Sequence, residues 1–220
     1  MASSNLPTSR DIIIQYKVDN INSNSKKKII NAINKFSFRY RLAKSFNGAE
    51  FEGFSSATQK GYNAGLQIML CYSAYETALV VEEMIKGNKK KAIHEDNSWV
   101  NLAEKIRTNK NLERLLNNSK NVNAQPIKEK LLEFYSNKHN HDIILIAQTI
   151  RHTFAHGDFT AGGAGLDKAS NRNAIIKIAE KILKKSDSII RECLPELRDD
   201  FQVELAHIRA EKILSKTNNL

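Results

Sequence analysis

Apolar residues recur at three- and four-residue steps through most of this chain, and that spacing decides what it can fold into. From Lys26 onward Ile29, Ile30, Ile33, Phe36, Tyr40, Ala43 and Phe46 keep a helical period, until "NGAEFEGFSS" breaks it with two glycines. A second run, over about 57–86, places Leu66, Met69, Leu70, Ser73, Thr77, Val80, Val81 and Met84 on one stripe and ends at Gly87, a residue suited to closing a helix. A charged connector, "KGNKKKAIHEDNS", follows it. Asn97 or Ser98 then caps a helix through Trp99, Leu102 and Ile106, and shorter helical pieces are expected around Leu112–Leu116 and from Pro126 to Tyr135. His141 or Asp142 opens a further helix with Ile143, Ile146, Ala147, Ile150 and Phe154 in register and Gly157 at its stop.

Beyond it "DFTAGGAGLDKASN" reads as a flexible loop. A long helix resumes through Ile175, Ile178, Ile182, Ile189 and Cys193, and Pro195 starts a last one carrying Phe201, Leu205, Ile208 and Ile213. Only three prolines and nine glycines interrupt 220 residues. The expectation is an all-α protein, a helical bundle with a helical C-terminal extension. Residues 1–25 form a polar N-terminal segment in which "IIIQYKV" (12–18) reads equally as a strand or a helix start, and 26–220 form a single domain with no internal repeat.

Composition narrows the function classes. A hydrophobic fraction of 41% and a charged fraction of 26% exclude a disordered chain, and the net charge of +10 suits a polyanionic partner such as nucleic acid. Cys71 and Cys193 lie far apart within apolar patterns, which points to buried free thiols and a reducing compartment. The start lacks a signal-peptide pattern, and no run of about 18 uncharged apolar residues occurs, so the expected location is cytoplasmic with no membrane partner.

The stretch "AQTIRHTFAHGDF" (147–159) carries chemistry at the end of an otherwise apolar helix. On a helical wheel Arg151 falls at the edge of the apolar stripe, and His152 and His156 fall on the polar side. Arg151 and His156 are five residues apart, roughly 140° around an ideal helix, so one straight helix does not aim both at a single phosphate. Either the helix distorts near Gly157 or two chains pair, each supplying what the other lacks.

Arg151, His152, three residues and then His156, within "IRHTFAHGD", resemble the motif of the HEPN superfamily, in which Arg is followed by a polar residue and His comes four to six residues later. The likeness covers roughly 143–157 and includes Ala155 and Gly157; outside it only the helical architecture is shared. It implies a helical bundle, usually dimeric, whose paired motifs make a metal-independent ribonuclease. Arg151 and His156 are then the catalytic pair, and His152 holds the polar position that orients groups or contacts phosphate.

The residue types suit that chemistry. An RNA 2′-hydroxyl beside the scissile phosphate is an intramolecular nucleophile, so the enzyme has to supply proton transfer and charge stabilisation, not a metal hydroxide. A histidine exchanges the protons, and a guanidinium binds phosphorane oxygens in a planar fork. The competing reading is an Arg and two His that satisfy the last carbonyls and the dipole of a helix.

Other features are weaker. His152 and His156 have the four-residue spacing of two zinc ligands, but no Glu lies between them and neither Cys is near, so no metal and no cofactor is expected. "GGAG" lacks the Lys-Ser/Thr of a nucleotide-binding loop and reads as a hinge or linker that is free to fold over RNA. Glu76 and Glu83 lie at the edge of the second stripe, and Glu76, with apolar neighbours, is the better partner for Arg151. Lys26–Lys28 and Lys89–Lys91 read as solvated ends or, with the net charge of +10, as a widening of an RNA-binding surface. Asp158 stands where one toxin branch of the resembled superfamily carries a Tyr modified by its antitoxin, so that route of control is not expected.

The resulting expectation is an endoribonuclease of a toxin–antitoxin or phage-defence system, acting on RNA as a homodimer under an antitoxin or regulatory protein. The alternative is a non-catalytic helical RNA-binding or adaptor module.

Overall fold

The computed structural model describes residues 23–87, 99–118 and 125–194, and these are all-α. In chain order the helices are α1 (Ser23–Ser45), α2 (Ser56–Lys86), α3 (Val100–Arg107), α4 (Lys110–Asn118), α5 (Gln125–Ser136), α6 (Ile143–Ala155) and α7 (Ala169–Cys193). The segment 12–18, the caps expected at Asn97 or Ser98, Lys89–Lys91 and the C-terminal extension from Pro195 lie outside the described residues.

Helix α2 is the axis of the bundle. Ser55 caps its start by accepting from the Thr58 N–H at 3.2 Å, and Gly87 ends it in the left-handed conformation (φ 68°), with its N–H on the Glu83 carbonyl at 2.9 Å. Of the expected stripe only Thr77 and Val81 are buried. Val80 and Met84 are exposed and Leu66, Met69 and Leu70 only half-buried, whereas Ala64, Ile68, Cys71, Tyr72, Ala74, Tyr75, Ala78 and Val81 form the buried face. The cause is packing on several sides: α7, α1 and α6 all lie against α2, so its buried arc is wide and its small residues mark close helix approach.

By length and composition α2 could cross a membrane, and 61% of its most apolar window is buried within the protein. Cys71 and Cys193 are buried free thiols, and burial pushes the Cys71 thiol up to about 11, against a hydrogen bond from Gln67 that lowers it.

Helix α6 opens on Asp142, whose side chain accepts from the Ile144 and Leu145 N–H groups at 3.0 and 3.1 Å. Ile143 to Ala147 are buried on every side, and the buried hydroxyls of Thr149 and Thr153 donate to the Leu145 and Ile150 carbonyls, both at 2.8 Å. The helix reaches the surface only at its C-terminal end. There the N–H groups of Asp158 and Phe159 both return to the Thr153 carbonyl, at 2.9 and 3.2 Å, around Gly157 at φ 76°.

The segment after α6 is not the flexible hinge that its glycines implied. Phe159, Ala161, Ala164 and Leu166 are buried, and the Ala164 and Leu166 N–H groups close turns on the carbonyls of Thr160 (2.9 Å) and Ala161 (2.8 Å). Amide side chains satisfy what the turns leave over: Asn109 donates to the Ala164 carbonyl at 3.2 Å and Asn171 to the Gly165 carbonyl at 2.8 Å. Small residues let this backbone lie against α2. A Cβ at Gly61 would stand 2.7 Å from the Ala161 methyl, and one at Gly65 would stand 2.6 Å from the Phe154 ring and 2.9 Å from Phe159.

Candidate active site at the end of helix α6

The polar part of "IRHTFAHGD" lies where α6 emerges from the core. Arg151 and His152 are half-buried, and His156, the residue that closes the helix, is exposed with its N–H on the His152 carbonyl at 3.2 Å.

Arg151 crosses to α2, where its Nη1 donates to Glu76 Oε1 at 2.8 Å. Tyr72, one turn before Glu76 on α2, puts its ring 5.8 Å from the centre of the same guanidinium. With side-chain exposures of 40% and 34%, this ion pair orients the guanidinium more than it stabilises the fold. Burial pushes the Glu76 carboxyl above the usual carboxylate range, against the lowering pull of Arg151 and Arg39, and burial with the nearby Glu76 charge holds the Tyr72 hydroxyl neutral well above its ordinary range. Arg39, on α1, acts on the same carboxylate as Arg151.

The two histidines form a second pair. Their rings stand one turn apart with centroids at 4.5 Å and planes at 67°. The structure thus joins Arg151 with Glu76, and His152 with His156; within one chain no hydrogen bond, ion pair or ring contact links Arg151 to His156. Glu83, the other expected acid, is exposed on α2. Among the described residues no three His, Cys, Asp or Glu side chains converge to hold a metal ion.

Two groups at this site, Tyr72 and Arg39, were missed from the sequence. Tyr72 had a readable signal, since it precedes Glu76 by four residues and so shares its helix face. Arg39 had none, because it arrives from a separate helix. Aromatic packing extends the site on its other side: Phe154 stacks on Phe159 at 4.5 Å, Tyr62 meets both edge-on, and Phe54, 47% exposed, packs edge-on against Tyr62.

No family model matches the chain, and no curated protein or solved structure matches it.

The raised Glu76 carboxyl makes a titration prediction. With its folded pKa above its unfolded one, the folded chain holds that proton more tightly. Its stabilising contribution is therefore full below the unfolded carboxylate range and lost as pH rises through the raised folded value. Glu76→Gln keeps an acceptor for Arg151 and carries no charge, so Tm against pH should fall less over that interval in the variant than in the wild type. Asp187, raised by burial too, is common to both proteins and cancels in the difference. Parallel curves would exclude the assignment.

Proposed function

We propose that this chain is a HEPN-like, metal-independent endoribonuclease whose working unit is a homodimer. The observation that supports it most is the placement of Arg151: oriented by Glu76 at 2.8 Å and by the Tyr72 ring, it stands half-exposed at the end of α6, five residues before an exposed histidine. In this reading a guanidinium held in that way binds the non-bridging phosphate oxygens and takes up charge as the phosphorane forms. His156 moves the proton, from the attacking 2′-hydroxyl or to the departing 5′-oxygen, and His152 orients its ring. Because Arg151 and His156 have separate partners in one chain, a second copy completes the constellation. A toxin or phage-defence role, under a regulatory protein, is the biological setting this activity fits.

A second reading, the RNA-binding or adaptor module, draws on the same ion pair, since Glu76 already offsets the charge of Arg151. Product chemistry separates the two. The purified chain, exhaustively chelated, is expected to cut a ribo-oligonucleotide to a 2′,3′-cyclic phosphate and a 5′-hydroxyl, and to bind without cutting when the cleaved position carries deoxyribose. RNA binding without any cleavage selects the adaptor. Cleavage of the deoxy bond, or loss of cutting on chelation, selects a metal-made hydroxide.

A further inference from the structure

Away from the α6 site, the residues that follow α1, the first third of α2 and the first turns of α7 line an open cavity of about 400 Å³. Its lining carries two cations, Lys60 and Arg172, and no carboxylate. Neither cation has an ion-pair partner among the described residues. Arg172 uses Nη1 on the backbone carbonyls of Leu166 (3.0 Å) and Asp167, contacts that aim the guanidinium without neutralising it. The first turn of α7 carries no acidic residue, so its dipole adds to the same sign. Phe46 and Ile176, both half-buried, contribute apolar surface. Asn63 holds the wall, accepting from the Ala49 N–H at 2.8 Å and donating to its carbonyl at 3.1 Å, whereas the amide of Asn173 is exposed.

We propose that this cavity binds a mononucleotide, with the phosphate between Lys60 and Arg172, the base against Phe46 and Ile176, and a polar base edge on Asn173. Two uncompensated cations match a phosphate dianion, an aromatic and an aliphatic side chain match the flat base, and the volume lies in the range of small-ligand sites. A phosphate here shares Arg172 with the backbone that follows the motif helix. The proposal does not depend on RNA cleavage.

The test is isothermal titration of the full-length chain with AMP, GMP, CMP and UMP separately, and with inorganic phosphate. At least one mononucleotide is expected to bind, and more tightly than phosphate. Lys60→Glu and Asn173→Asp, both at exposed positions that spare the fold, should each weaken it about tenfold or more, and Arg151→Ala should leave it unchanged. The assignment is overturned if no mononucleotide binds more tightly than phosphate, if both cavity variants bind like wild type, or if Arg151→Ala removes binding and so places the nucleotide at the α6 site.

Discussion

Arg151→Ala and His156→Ala are each expected to lower RNA cleavage by about 10²–10⁴, the usual loss when one positioned proton-transfer or charge-stabilising group is removed. The fold should survive both changes, because His156 is exposed and Arg151 is half-exposed with its partner on the surface. Circular dichroism and Tm would verify that the loss is chemical. The two variants also report on assembly. If each site takes its arginine from one copy and its histidine from the other, a mixed dimer of the two inactive variants holds one intact site. An equal mixture should then recover roughly a quarter of the wild-type rate, since about half the dimers are mixed and one site in two is whole. Light scattering should show the dimer itself. Wild-type turnover by both folded variants would remove the enzyme reading, and a mixture as inactive as its components would remove the shared site while leaving the catalytic roles in place.

Phe159→Ala carries the largest expected cost in stability. The ring is 5% exposed, stacks on Phe154 and meets Tyr62 edge-on, and Gly65 on α2 leaves room for it. Truncating such a side chain removes its transfer energy and leaves a cavity, about 3–5 kcal/mol together. Urea denaturation of the variant would measure this. The neighbours are tied by helix α2 and by the turns that follow, so collapse into the space is limited. Phe159→Leu, which refills most of the volume, should recover more than half of the loss. A cost near zero for the alanine variant would mean that the segment after α6 does not pack as described. Because Phe159 hydrogen-bonds through its N–H to Thr153 at the end of α6, a drop in cleavage beyond the drop in folded fraction would show that this packing also positions His156.

The elements themselves were largely legible. Apolar spacing placed α1, α2, α6 and α7 close to their true limits, and the chemistry of Gly87 and Asp142 marked two ends, because caps are local and do not depend on what packs nearby. The buried face of α2 was misread for the opposite reason. A single helix reveals its largest apolar residues, yet the small Ala64, Gly65, Ala74 and Ala78 belong to the buried face, and a periodic reading gives them little weight. The segment 158–168 failed similarly: its glycines imply freedom, but the amides of Asn109 and Asn171 that hold it are remote in sequence. At the candidate site the link between Glu76 and Arg151 was readable from two helix edges, with Tyr72 on the Glu76 face, while Arg39 joins only after a third helix has packed.

The order of those helices has a consequence for synthesis. Helix α7 is the most extensive neighbour of α2 and is also the last described helix, ending at Cys193 of 220 residues. A chain growing from its N-terminus makes Arg151 and His156 before α7, so the described bundle closes only once residues up to Cys193 have emerged. The pairing of Arg151 with Glu76 depends on α6 seated against α2 and so forms only after α6 has emerged. On the proposed nuclease reading, a nascent polypeptide in which α6 is not yet seated on α2 holds no oriented Arg151.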